Sequence, residues 1–273
     1  MDLNTVSEVA HPQTRSGLPV WTAGDAFLAG GTWLFSEPQA HLRRLIDLTD
    51  LNWPPLTIHA NGLTIAATCT VAQLDALAGP PEWLAASLIN PCCRAFLASF
   101  KIWKTATVGG NLCMSLPAGP MISLTAALDG VCTIWQADGG ERKIAVIDFV
   151  TANQQNVLKP GDLLRQIDLP LAALQRRSAF RQISLTPLGR SAALLIGSLT
   201  SDGAMILTVT ASTKHPVRLS FDTIPQQSAL REAILQAIPE PLYHDDVHGK
   251  PLWRQHMTLR LADEIRSELL GRP

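Results

Sequence analysis

The hexapeptide Ala106-Thr107-Val108-Gly109-Gly110-Asn111 sets a glycine pair just behind a hydroxyl side chain. A second pair lies upstream in Leu28-Ala29-Gly30-Gly31-Thr32, this time directly before a hydroxyl. Each follows an apolar segment. Ala26-Phe27-Leu28-Ala29 reads as a short strand running into the first pair, and apolar residues at helical spacing over 82–100 lead towards the second. Glycine lacks a Cβ and reaches positive φ, so backbone N–H groups can close around phosphate oxygens, with Thr32 and Thr107 adding hydroxyl donors. Two such loops converging would suit a diphosphate. Neither is a P-loop, because no Gly-Lys-Ser/Thr follows, and neither fits the Gly-x-Gly-x-x-Gly dinucleotide fingerprint. On these residues alone each loop is either an anion-binding turn or an ordinary one.

Working outward, the chain has 273 residues, room for two or three compact units. Hydrophobic residues make up 47% and charged residues 16%, against about 25% charged in ordinary soluble domains. A surface so poor in charge points to a partner protein covering part of it. The formal net charge of -1, without a basic stripe, argues against a nucleic-acid partner. No apolar run approaches the roughly 20 residues of a membrane span. The opening Met1-Asp2-Leu3-Asn4-Thr5 lacks the features of a secretory signal, so the expected location is the cytoplasm. Five cysteines, with no Cys-x-x-Cys pair, make a disulfide framework, a zinc knuckle or an iron–sulfur run a poor fit, and they are expected to be buried thiols.

The opening, up to about residue 21, reads as loop with weak strand character. Strands are predicted over 45–48 and 63–67, with Trp53-Pro54-Pro55 as a boundary between them. Thr70 is placed to cap a helix over 71–77, and the helical run over 82–100 is expected to break at Pro91. A helix over 121–128 precedes strands over 131–135, 144–149 and 163–169. After a break at 170–177, three strands follow over 179–185, 192–199 and 205–210, with Ser201-Asp202-Gly203 as a hairpin turn. Helices over 226–237 and 253–270 close the chain, as in a separate α+β unit.

The order Ala29-Gly30-Gly31-Thr32, then Ala106-Thr107-Val108-Gly109-Gly110-Asn111-Leu112, then Pro117-Ala118-Gly119 resembles the FAD-binding middle subunits of molybdenum hydroxylases of the xanthine dehydrogenase and carbon monoxide dehydrogenase type. Phe180-Arg181-Gln182-Ile183-Ser184 and Gly189-Arg190-Ser191-Ala192 are similar to the start of that family's C-terminal domain. Lys214-His215-Pro216-Val217-Arg218-Leu219 resembles its Pro-x-Arg turn.

The resemblance implies an α+β chain. Residues 1–174 would form a two-subdomain FAD-binding domain of the vanillyl-alcohol-oxidase-like (PCMH) type, divided at about 53, and 178–273 a C-terminal domain with a three-stranded sheet and helices. It places FAD between the two subdomains. Cofactor-binding residues carried over by position are Ala26, Phe27, Leu28, Ala29, Gly30, Gly31, Thr32 and Trp33 in the first loop. In the second they are Ala106, Thr107, Val108, Gly109, Gly110 and Asn111. Leu163 and Phe180 match positions near the flavin, with ordinary core packing as the other reading. The flavin does the redox chemistry, so no general acid or base is assigned. Neither loop holds a His or Cys, so the FAD is expected to be noncovalent, and a valine at Gly110 is expected to abolish its binding.

The family further implies a molybdopterin-binding large partner and a small partner with two iron–sulfur clusters. Electrons would pass from those clusters to FAD and on to NAD, a quinone, oxygen or another acceptor. Three departures stand out: Trp33 where the family often has Asp, Trp103-Lys104 where it has Arg-Asn, and Pro120 where it has an acid. The helix usual before the first loop is interrupted by Pro19 and Gly24. These departures leave open an FAD-less scaffold that only stabilises its partners.

Overall fold

The computed structural model describes residues 3–271. Strands β1 (Glu8–Ala10), β2 (Asp25–Leu28) and β3 (Arg44–Asp47) pair in parallel in the order β1-β3-β2. β1 falls inside the opening stretch, which reads from the sequence as loop with weak strand character. Parallel neighbours need a crossover of a dozen residues or more, and residues 29–43 supply it between β2 and β3. Residues 11–24, between β1 and β2, hold only the 3-10 turn Arg15–Gly17, in place of the interrupted helix. An ion pair therefore braces the strand starts. The Asp25 carboxylate is buried and takes both Arg44 Nε (3.0 Å) and Nη2 (2.6 Å), together with the Thr22 N–H (2.7 Å). Bidentate guanidinium donation of this kind is the strong, geometrically specific form of ion pair.

Next come β4 (Leu56–His59), β5 (Gly62–Ala66), β6 (Val131–Trp135), β7 (Glu141–Ala145), the small hairpin β8 (Val150–Ala152) and β9 (Gln155–Asn156), and β10 (Leu163–Pro170). The main sheet is antiparallel in the order β4-β5-β10-β6-β7, so β10 is central and buries Leu164, Ile167 and Leu169. Thr70 caps the helix Val71–Asp75 through a capping box with Gln73. Pro91 does not break its helix. It stands in the first turn of Ile89–Ala95, where a missing N–H costs nothing because those donors have no intrahelical acceptor, and the chain turns at Phe96 instead. The helix Pro120–Ala127 is buried on every face, which explains why it shows no polar side.

The C-terminal sheet corrects the expected three strands to four. β11 (Arg177–Ile183), β12 (Ala193–Leu199), β13 (Met205–Thr210) and β14 (Val217–Phe221) run antiparallel in chain order. The segment read as a turn after Pro216 is β14. Its Val217, Leu219 and Phe221 alternate towards the C-terminal core and pair with β13. The helices Gln227–Ala237 and Pro251–Leu269 contribute to that core. β12 reads as an unbroken apolar run because it is covered on both faces. Leu194 and Ile196 enter the core around the five-stranded sheet, while Ala193 and Leu195 enter the C-terminal core. The seam is stitched by Ser123 and Thr210, whose hydroxyls lie 2.6 Å apart, and by Asp129, which pairs with Arg176 (2.5 Å) and Arg218 (2.6 Å). No helix among the described residues is long and apolar enough to cross a membrane.

Candidate cofactor site

β2 delivers the first glycine loop. After Leu28, whose carbonyl accepts the Leu48 N–H (2.8 Å), the chain leaves the sheet. Gly31 lies at φ +66, the left-handed region that a side chain disfavours, and a Cβ there would come within 2.4 Å of the Phe35 ring. This conformation turns the backbone so that the N–H groups of Gly30, Gly31, Thr32 and Trp33 meet no acceptor among the described residues. Gly31 is nonetheless buried and its neighbours half-buried. Half-buried N–H donors in a row, left unpaired by the protein, are what an anion needs. The Thr32 hydroxyl makes no bond either among the described residues, and remains available beside them.

The second motif is built differently from the loop expected. Ala106 closes a contact with the Val71 N–H (2.9 Å), Thr107 is an N-cap, and Val108–Met114 is a short helix. Its donors are engaged within the chain. Val108 N–H reaches the Cys69 carbonyl (2.8 Å), Gly109 the Ala67 carbonyl (3.0 Å), Gly110 the Thr107 hydroxyl (3.0 Å) and Asn111 the Thr107 carbonyl (3.0 Å). Gly109 is required by packing, since a Cβ would sit 2.5 Å from that of Ala67. Gly110 is not in the left-handed region, and a Cβ there would meet the Thr107 hydroxyl at 2.9 Å. The expected valine effect at Gly110 therefore starts with the helix cap. Asn111 accepts the Met121 N–H (3.1 Å) and keeps its own NH2 free among the described residues. Pro120 opens the next helix at a position where its fixed φ suits the first turn.

The two motifs touch. A Cβ on Gly30 would stand 1.8 Å from the Thr105 carbonyl oxygen, so only glycine lets the first loop lie on the backbone that leads into the second. Leu163, at the start of β10, packs with Leu48 and Leu51 beneath Phe27 and Ala29, and Ala26 pairs with Leu45 in the sheet. Phe180 is half-buried on the core of the second subdomain and lines neither cavity described next.

Two cavities flank the loops, and their lining includes residues that sequence reasoning missed. One, of about 340 Å³, lies where Trp33, Pro117 and Gln154 face Arg190, His244 and Arg254 from the C-terminal part of the chain. Arg254 is buried. It donates to the carbonyls of Gly249, Ala192 and Ala211 and pairs with Asp246 at 2.5 Å, while burial pulls its guanidinium pKa down. His244 stands 3.4 Å from Asp246, and burial holds it below the usual histidine range. The other cavity, about 660 Å³, is lined by Arg15, Trp21, Phe27, Trp135 and Leu163. Trp21 packs on Phe27 with ring centroids 5.0 Å apart, and Arg15 lies 4.8 Å over the Trp135 ring. Trp33, Phe27 and Leu163 were expected at the site, whereas no local pattern marks Arg15, Trp21, Trp135, Arg190, His244 or Arg254, which join them only through long-range folding.

Residues 21–172 match the family described as the FAD binding domain in molybdopterin dehydrogenase. That is more than half of the chain, and it holds both glycine motifs: the protein belongs to this family. Solved structures share the fold over the full length. The chain superposes on reconstituted CO dehydrogenase from Oligotropha carboxidovorans with a TM-score of 0.82 at 19% identity, covering 100% of both chains. Quinoline 2-oxidoreductase from Pseudomonas putida 86 gives 0.76 at 17%, with 98% of this chain and 99% of that one covered. A carbon monoxide dehydrogenase from Hydrogenophaga pseudoflava, which lacks the Mo-pyranopterin moiety of its molybdenum cofactor, gives 0.79 at 15% and 98% of each. Among curated proteins no relative matches.

Proposed function

We propose that this chain is the FAD-carrying electron-transfer subunit of a molybdenum hydroxylase. It takes electrons from the iron–sulfur clusters of a small partner chain and passes them to an external acceptor, while substrate is oxidised at molybdopterin in a large partner. The observation that carries the reading is the first glycine loop. Four consecutive N–H groups over Gly30–Trp33 meet no acceptor among the described residues, and the Gly30 backbone lies against Thr105. That arrangement fits the diphosphate of FAD. When bound, FAD supplies the redox chemistry, and the residues of this chain hold it, orient it and limit its access to water. Leu163 and Phe27 back the loop, and Trp33 extends from it into the cavity shared with the C-terminal domain.

The cofactor is held without a covalent bond. Cys113, the nearest thiol in sequence to the second motif, is pushed up to about 12 by burial and stays protonated, which makes it a poor nucleophile towards a flavin ring. Chain purified with FAD should carry one flavin per protein, and acid precipitation should release all of it into the supernatant. A yellow pellet refutes the noncovalent reading. A chain that is colourless once excess added FAD has been removed by gel filtration, yet still assembles with its partner chains, establishes the scaffold reading in its place.

A further inference from the structure

We propose that Lys104 is the counter-charge to the cofactor's diphosphate; the assignment rests on the FAD reading above. Neither glycine motif contains a charged side chain. Ala26–Trp33 and Ala106–Asn111 are neutral throughout, and Asp25, just before the first, is already matched by Arg44. A diphosphate brings two negative charges into a half-buried seam, and backbone donors alone leave that charge only partly offset. Lys104 immediately precedes Thr105, whose carbonyl lies against Gly30. It is exposed and meets no carboxylate among the described residues. Its Nζ stands 5.9 Å from the centroid of the Phe100 ring, itself 69% exposed, so an aromatic face and an ammonium without a carboxylate partner among the described residues lie together on the segment that leads into Thr105. An ammonium on a four-carbon stem acts as a mobile point charge and needs no fixed geometry to serve a phosphate. This gives a role to one of the chain's departures from its family, the lysine of Trp103-Lys104.

The test is FAD affinity against ionic strength, measured by flavin fluorescence, for the wild type and for Lys104→Gln, Lys104→Met, Lys104→Arg and Lys101→Gln. Lys101 is exposed one turn earlier and serves as the control for general surface charge. At low salt the glutamine and methionine variants should bind FAD about tenfold more weakly, and their affinity should lose most of its salt dependence. Lys104→Arg should restore both, and Lys101→Gln should match the wild type. Circular dichroism checks that each variant is folded. Wild-type affinity and salt slope in a folded Lys104→Gln or Lys104→Met variant overturns the assignment, as does an equal loss in Lys101→Gln. Failure of the wild type itself to bind FAD would instead sink the cofactor reading from which the assignment starts.

Discussion

Gly30–Gly31 and Gly109–Gly110 look interchangeable in the sequence, yet the chain uses them for different purposes. At the first pair, Gly31 takes a left-handed φ of +66 and the N–H groups from Gly30 to Trp33 meet no acceptor among the described residues. At the second, every N–H from Val108 to Asn111 is engaged by the protein, and the glycines serve close packing and a helix cap. The first pair leaves its donors without a partner among the described residues, and the second has its donors matched within the chain. The difference arises from what each pair lies against. Gly109 is pressed on Ala67 at the end of β5, so its neighbours find carbonyl partners, whereas the first loop leaves the end of a sheet without running into a helix.

The largest test of this contrast is Gly31→Ala. An L side chain is disfavoured at that φ by about 1–2 kcal/mol, and its Cβ would also collide with Phe35. Realigning several charge-assisted donors should weaken FAD binding about a hundredfold, while the circular-dichroism spectrum stays near wild type. Unchanged flavin content in Gly31→Ala would show that the free N–H groups do not hold the cofactor.

Asp25→Asn probes the brace beneath the first loop and should cost about 2 kcal/mol in urea unfolding at neutral pH, because Arg44 loses its buried carboxylate. The pH dependence follows from the same pair. The Arg44 hydrogen bonds hold the Asp25 carboxyl below the usual aspartate range. Between that lowered value and the unfolded value of about 3.9, the unfolded chain binds the extra proton, so this stabilisation is complete above about pH 4–5 and is lost as pH falls through the folded pKa. Wild type should therefore lose part of its margin over Asp25→Asn in acid. A constant margin across that range would show the pair to be unimportant.

The smallest effects belong to the second motif. Thr107→Ala and Gly110→Ala both disturb the cap of Val108–Met114 and should each cost about 1 kcal/mol of stability. FAD affinity should change less than threefold, a difference below about 0.7 kcal/mol. A loss of flavin in Gly110→Ala as large as in Gly31→Ala would break the contrast and return the second motif to direct phosphate contact.

Much of this molecule was legible in its sequence. The order of the two glycine motifs and of Pro117-Ala118-Gly119 carries the family, because motif order survives where overall identity falls to 15–19%. Local chemistry was also readable: the Thr70 cap requires only neighbours within one helical turn, and the strand over 131–135 requires only an apolar run closed by the Asp138-Gly139-Gly140 turn. β14 was missed because Pro216 signals a turn more strongly than three alternating apolar residues signal a strand. Pro91 misled for the opposite reason, since a proline's effect depends on whether it stands in the first turn or deeper, and that depends on where packing starts the helix.

The sequence by itself determined that two glycine-rich motifs exist, that residues 21–172 belong to the FAD binding domain family of molybdopterin dehydrogenases, and that the core is large. Tertiary structure alone decided which motif keeps its N–H groups free, that Gly30 rests on Thr105, and that Trp33 shares a cavity with His244 and Arg254 from the far end of the chain. Composition records which backbone groups are capable of binding an anion. Whether they remain free to do so depends on the acceptors that other strands bring within about 3 Å, and no local stretch of sequence contains that information.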